Sequence, residues 1–313
     1  MLEFVARRLL HTALVTLGVV TLVFVALRMS GDPAASMLPG DASVDELRDL
    51  RHALGLDQPL SHQYVSFLGS AVRGDFGESF RHQQPAFGLV LERLPATLEL
   101  AFAALALAVV IALPLGILAA VRRGRVADLL VSLVSYLGVS LPEFVTATLA
   151  ILFFADYLGW LPATGYVPVT EDPGRALLHL VLPVATVSLI LVAHVSRMVR
   201  SELVDALHTD YVRAARLKGL PERIVLRRHA LRNALLPTIT IVALDVGYVL
   251  GGIIVVEEIF AIPGIGRTLI VAVQNRDLPT IQAGALVMAA TYCVMNFAAD
   301  LLYAVLDKRI QYA

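Results

Sequence analysis

The chain has 313 residues, 58% of them hydrophobic and 16% charged, with a mean hydropathy of +0.75 and a formal net charge of −1. A soluble domain carries about 45–50% apolar and about 25% charged residues. The composition therefore excludes an ordinary water-soluble protein and describes a polytopic membrane protein, whose organisation is counted in spans.

A basic start with Arg7 and Arg8 leads into an apolar run over 9–27, interrupted only by His11, Gly18 and threonines. About 20 residues suffice for a helix to cross the hydrocarbon core. The residues that follow, Arg28-Met29-Ser30-Gly31-Asp32, offer no small-x-small cleavage site, so the run reads as a retained first span and not as a secretory signal.

Residues 30–94 form the one sizeable polar region. Ser43-Val44-Asp45-Glu46 has the form of a capping box, with Val44, Leu47, Leu50 and Leu54 on one helical face and Gly55 placed as the stop. A second amphipathic stretch runs through Tyr64, Phe67 and Leu68, followed by a Gly74-Asp75-Phe76-Gly77 turn. The region reads as a small helical cap packed on the spans.

Five further apolar runs, 97–121, 129–155, 177–199, 235–256 and 281–306, bring the spans to six. Pro114, Pro142, Pro183 and the Gly251-Gly252 pair interrupt them. Membrane helices tolerate such breakers where neighbours or a cavity re-satisfy the backbone. Small residues gather over 101–108, over 283–290 and around Gly247, which favours close helix packing. The single Cys293 lies in the last run, so no intrachain disulfide can form. Six spans put both termini on one side. The segments on that side hold 16 of the 25 Lys/Arg against 7 acids, and those on the other hold 9 against 15. The positive-inside rule assigns the first set, including both termini, to the cytoplasm.

The cytoplasmic loop 200–233 contains the most patterned stretch of the chain, Thr209-Asp210-Tyr211-Val212-Arg213-Ala214-Ala215-Arg216-Leu217-Lys218-Gly219-Leu220-Pro221. Tyr211, Ala214, Ala215 and Lys218 fall at i, i+3, i+4 and i+7, one face of a short helix. Gly219 sits where a helix stop takes positive φ, and Pro221 suits the first turn of a new helix. The spacing predicts helix, sharp corner, helix, with a small-residue face shaped to lie in a groove of another protein. Basic charge alone would orient the chain, but orientation needs no Gly-Pro corner.

The last external stretch, Glu257-Glu258-Ile259-Phe260-Ala261-Ile262-Pro263-Gly264-Ile265-Gly266, is apolar and too short to span. It reads as a re-entrant or interfacial loop. Catalytic patterns are absent. Neither lysine, Lys218 or Lys308, follows a glycine, so no Gly-x-x-x-x-Gly-Lys phosphate loop exists. There is no His-Glu-x-x-His, no Cys/His set with zinc spacing and no Gly-x-Ser-x-Gly elbow. The basic loop lacks the aromatic platform that nucleic-acid binding needs. Ionisable groups inside spans are costly and need a reason. Glu99 and Asp300 lie near span ends and are expected to reach the interface. Glu143 follows Pro142 at a kink, and Asp245 lies within the fifth span beside Gly247. For Asp245, a water-filled pathway and a structural interhelical pair stand as equal readings. His194, Ser196 and Arg197, at the exit of span four, are expected to be interfacial.

Arg213-Ala214-Ala215-x-x-x-Gly219, followed by Leu236-Pro237, resembles the "EAA" loop of ABC importer permeases. Arg213 stands where that loop usually has Glu, and the distance to Leu236-Pro237 is long. Both departures match the dipeptide/oligopeptide and nickel branch. Leu54-Gly55-Leu56-Asp57-x-Pro59, Gly74-Asp75-Phe76-Gly77, Glu257-x-x-Phe260-x-Ile262-Pro263-Gly264-x-Gly266, Asn275-Arg276-Asp277-Leu278-Pro279 and Asp300-Leu301-Leu302-Tyr303 are similar to the same branch. The resemblance implies an all-α membrane protein with six transmembrane helices in the type I (MetI-like) permease fold. Its expected parts are 1–29, an extracytoplasmic helical segment 30–94 that would alternatively dock a binding protein, a core 95–306 and a tail 307–313. It implies Asp210, Tyr211, Val212, Arg213, Ala214, Ala215, Lys218 and Gly219 as the coupling helix for an ATPase. Asp245 and Glu143 would line a translocation path, and Glu258, Pro263 and Gly264 would belong to an external loop or gate. The expected function is the permease subunit of an ATP-driven peptide importer in a prokaryotic cell membrane, without catalysis of its own. The implied partners are a second permease, two ATPases carrying ATP and Mg, and an extracytoplasmic substrate-binding protein, with no metal or cofactor on this chain and no nucleic acid. Nickel chelates or glutathione-like peptides are alternative cargoes. A secondary transporter is the alternative class, but it would predict an internal repeat that is not evident.

Overall fold

A computed structural model describes residues 2–29, 34, 43–53 and 55–306. In chain order the helices are α1 (Leu2–Met29), α2 (Val44–Ala53), α3 (Leu60–Val72), α4 (Ala86–Val121), α5 (Val126–Ser140), α6 (Glu143–Ala150), α7 (Pro173–Leu207), α8 (Asp210–Leu217), α9 (Leu231–Ile259), α10 (Ile265–Gln274) and α11 (Leu278–Leu306). Helix α6 continues as a π-helix over Ile151–Tyr157, and α9 is preceded by the turn Glu222–Ile224 and a second π-helix, Val225–Ala230. Among the described residues there is no β-strand, only an isolated bridge between Glu78 and Pro85. This is the expected all-helical outcome, because a helix satisfies its own backbone where no water can. Parts of α1, α4, α7 and α11, together with the bent pair α5–α6, are long and apolar enough to cross a membrane. The 29-residue α9, about 43 Å long at 1.5 Å per residue, carries the remaining apolar run.

Three boundaries differ from the hydropathy reading. Helix α4 starts at Ala86, well before residue 97, because Ala86, Leu89 and Val90 form a buried amphipathic face that a search for continuous apolarity passes over. Helix α7 likewise runs on to Leu207, past the end of its apolar run at 199. The third run is not straight: α5 and α6 meet at 104°. Pro142 has no amide hydrogen and restricts the residue before it, and Leu141 is extended at φ −91°, ψ 125°. Pro183 and Pro237, by contrast, are carried inside α7 and α9.

The chain divides into two compact units, Met1–Thr97 with Pro263–Val294, and Leu98–Ile262 with Met295–Ala313. In the first, the capping box forms as expected. The Ser43 amide and hydroxyl donate to the Glu46 carboxylate at 2.8 and 3.0 Å, the Glu46 amide donates to Ser43 Oγ at 3.2 Å, and Gly55 stops the helix at φ +63°. The Gly74–Gly77 turn presents Phe76 to a core of Ala86, Val90, Ile265, Ala283 and Val287, and a file of rings runs Phe24, Phe67, Phe76, Phe87. Each buried large apolar side chain contributes roughly 1.5–3 kcal/mol. One buried carboxylate, Asp277, accepts from Ser79 Oγ at 2.5 Å, the Phe80 amide at 3.2 Å and Thr280 Oγ1 at 2.8 Å, so its charge is well solvated by fixed donors.

In the second unit, α4, α5, α7 and α9 pack through small residues. Ala104, Ala108 and Ala112 are wholly buried, and Ser188 Oγ donates to the Ala104 carbonyl at 3.1 Å. At Gly116 the helices all but touch: a methyl group there would stand 2.7 Å from the Ser196 carbonyl oxygen and from Val199 Cβ. Gly138 packs similarly on the Leu189 carbonyl, and Ser135 and Ser196 share a hydrogen bond at 3.1 Å. Close backbone approach of this kind replaces the hydrophobic effect as the force between helices in lipid.

Gly116→Ala should therefore destabilise the unit by about 1–3 kcal/mol through overpacking. Gly18→Ala, in a helix position with nothing within 4 Å, should be neutral or slightly stabilising. Thermal unfolding of the purified chain in detergent would separate the two.

Candidate functional site

The basic corner is built upward from a helix stop. Helix α8 ends with the Gly219 amide bonding the Arg216 carbonyl at 2.9 Å and the Leu220 amide bonding the Ala215 carbonyl at 3.4 Å. Gly219 is at φ +76°, and Leu220 folds back onto the cluster that contains Ala215. These are the bonds and the apolar contact of a Schellman stop, which needs a residue able to take the left-handed conformation. Pro221 then caps the turn Glu222–Ile224. Arg216 closes the corner from outside: Nε and Nη2 donate to Glu222 at 3.1 and 2.6 Å, and Nη1 donates to the Leu207 carbonyl at the end of α7, at 3.4 Å.

Val212 and Ala215 are buried in one apolar cluster with Ala120, Leu203, Val204, Val225, Ala230 and Ala234. Asp210, Tyr211, Arg213, Ala214, Leu217 and Lys218 are exposed. The expected face of Tyr211, Ala214, Ala215 and Lys218 is therefore split. Ala215 turns inward and seats the helix, while Tyr211, Ala214 and Lys218 remain outward. The physical reason is Val212: a β-branched apolar residue three positions before Ala215 outweighs the small-residue stripe in choosing which side faces the core.

A second tie lies one helical layer away. Asp128, at the start of α5, accepts from Arg200 of α7 through both oxygens, at 2.5 and 2.8 Å, and from the Gly124 amide at 2.9 Å. The side chain of Asp128 is 9% exposed. Sequence reading missed this pair; the available signal was an acid in the first turn of a helix that opens beside three arginines.

Within the spans, Asp245 and Glu143 lie along one stripe. Asp245 Oδ1 is 2.9 Å from His194 Nδ1, so His194 is an interhelical partner and not simply interfacial. Asp245 is 4% exposed, and its Oδ2 is buried without a hydrogen bond. Glu143 opens α6 and packs against Gly252 of α9, where a methyl group would stand 2.5 Å from both carboxylate oxygens. Tyr248 lies between positions 245 and 252 on α9 and is 54% exposed. Neither Tyr248 nor the fit of Gly252 was legible in the sequence. Glu99, expected at the interface, accepts from the Tyr166 hydroxyl at 2.6 Å because the segment after α6 folds over α4. Ser196, expected at the interface, is instead 1% exposed and hydrogen-bonded to Ser135 between α5 and α7; Arg197 is half-buried, its guanidinium 5.7 Å over the Tyr136 ring.

Glu258 is exposed near the end of α9 in one unit. In the other, Pro263 is partly exposed, and Gly264 is buried and caps the ten-residue α10. Helix α10 is too short to span, and residues 257–259 of that stretch are the last turn of α9. The side chain of Asp300 and residues 307–313, with Lys308 and Arg309, lie outside the described residues.

Two family models match: "Binding-protein-dependent transport system inner membrane component" over residues 112–312, and the N-terminal component of the same transport systems over residues 1–101. A glutathione transport system permease protein, GsiC, of Escherichia coli O1:K1 is 38% identical over 313 residues, covering all of both chains. A Brucella suis protein named as a peptide transport system permease is 37% identical over 313 residues, again covering all of both. Among solved structures, an inward-facing methionine ABC transporter, MetNI, shares the fold with a TM-score of 0.57 at 20% identity, covering 70% of this chain and 97% of that one.

The corner makes a pH prediction. The Arg216 hydrogen bonds hold the Glu222 carboxyl below its usual range, so the clamp's contribution is complete above about pH 4.3, the unperturbed value, and is lost as pH falls through the lowered one. For so exposed a pair the contribution is below about 1 kcal/mol. Glu222→Gln at neutral pH should speed amide hydrogen exchange over 218–224. Acidifying the unaltered chain below about pH 4 should likewise lower protection there, once each rate is divided by the intrinsic exchange rate at that pH. Equal exchange in both proteins at pH 7 would show that the clamp contributes nothing.

Proposed function

This chain belongs to the binding-protein-dependent transport system inner membrane component family, the permeases of ABC importers, and from that membership we propose that it carries peptides across the membrane under the control of an ATPase gripping α8. The chain is a multi-pass membrane transport subunit. The secondary-transporter alternative gives way to the family assignment.

The observation that carries the coupling reading is the division of α8 into two faces. One is riveted into an apolar cluster shared with α4, α7 and the start of α9; the other presents Tyr211, Ala214 and Lys218, beside Asp210 and Arg213, to a partner. A helix laid in a partner's groove needs an outward face that is free and an inward face that cannot slip. In this reading, two ATPases bind ATP and Mg and supply the hydrolysis, a second related permease completes the pathway, and a binding protein delivers cargo from the other side. The corner and both termini lie in the cytoplasm, as the distribution of Lys and Arg indicates. Asp245 and Glu143 face the path. The names of the Brucella and Escherichia relatives support peptide cargo, and the second favours a glutathione-like peptide equally well.

The outward face can be tested without touching the seat. In the reconstituted importer, Ala214→Trp should cut ATP-driven uptake about ten-fold, the loss that 1.4 kcal/mol of docking free energy gives, while the chain still assembles in the membrane. Ala215→Trp should instead lower the amount of folded chain, because it enters the cluster. Full uptake by Ala214→Trp would refute the coupling role of α8.

A further inference from the structure

Asp245, Tyr248 and Gly252 occupy positions i, i+3 and i+7 of α9, a single stripe about 10 Å long at 1.5 Å per residue. His194 of α7 meets the stripe at one end and Glu143 of α6 at the other. Three features make the stripe more than a pair of acids. First, Asp245 is 4% exposed, yet His194 satisfies only Oδ1, and Oδ2 is buried with no donor. A buried carboxylate oxygen left unpaired in a membrane segment is costly. Second, the Glu143 carboxylate makes no hydrogen bond among the described residues, and it is admitted to its place only because residue 252 has no side chain. Third, the phenol between them is 54% exposed, so the stripe is open at its middle while one acid is sealed.

Among the described residues the one group on this stripe that can carry positive charge is His194, and only when protonated. It touches one oxygen of the four that the two carboxylates present. Aspartate, tyrosine and glutamate together offer acceptors and negative charge in steps of about half the stripe's length. We propose that this stripe is a binding step for an organic ammonium group, such as the amino terminus or basic side chain of a passing solute, with Glu143 and Tyr248 meeting it first and Asp245 Oδ2 completing its hydrogen bonds. The site rests on the reading of this face as part of the translocation path. It adds to that reading a sign: the path favours positive groups over negative ones of equal size.

The test needs no knowledge of the cargo. Tyr248→Cys would be introduced into the full chain, assembled with its partner subunits in membrane vesicles. The thiol would be reacted with trimethylammonioethyl methanethiosulfonate or with sulfonatoethyl methanethiosulfonate, each rate divided by that reagent's rate with free cysteine. The unaltered chain, whose Cys293 is 5% exposed, gives the background. The cationic reagent should react about ten-fold faster than the anionic one. The ratio should fall toward one when Glu143→Gln or Asp245→Asn is added, and furthest with both. Should Asp245→Asn not accumulate in the membrane, Glu143→Gln alone still decides. Equal normalised rates, or a ratio that neither neutralisation moves, would overturn the ammonium site while leaving Tyr248 on a water-filled path. Protection from both reagents would overturn the path reading, and the site with it.

Discussion

The contact on which the rest of this structure depends is the insertion of Val212 and Ala215 into the apolar cluster made by Ala120, Leu203, Val225 and Ala230. Without it, the loop between α7 and α9 would be a polar, highly charged connection free to take many shapes. With it, an eight-residue helix, too short to be stable alone in water, becomes a fixed part of the helices around it. The Schellman stop at Gly219 and the Arg216 clamp define the corner's shape, but both act on a helix that apolar burial has already placed. Exposed ion pairs contribute too little to do this themselves.

A similar division holds among the buried carboxylates, which divide into finished and unfinished networks. Asp277 is surrounded by donors, and Asp128 is gripped by both arms of a guanidinium and by an amide. These are structural ties, complete as they stand. The stripe on α9 differs because Asp245 Oδ2 is buried without a hydrogen bond, while Glu143 is packed on the bare backbone of Gly252.

What could be read from the residues alone follows sequence distance. The capping box at Ser43, the stop at Gly55 and the left-handed Gly219 are local, decided by three to six neighbouring residues, and all form. The apolar runs likewise become helices, though α4 and α7 extend past them where amphipathic faces take over. The pairs that define the candidate sites are remote: His194 and Asp245 are 51 residues apart, and Asp128 and Arg200 are 72. A single sequence contains no signal that joins them. The orientation of α8 is an intermediate case. Its period was evident, but two faces carried small residues, and the deciding weight of Val212 becomes plain only when the surface beneath it is known.

Helix α8 is about 12 Å long, and it is anchored at both ends: through His208 and Thr209 to α7, and through the Gly219–Pro221 corner to the start of α9. A rod so short and so fastened has no fulcrum. A push on Tyr211 or Lys218 would therefore be passed to two spans at once, without slack at either end.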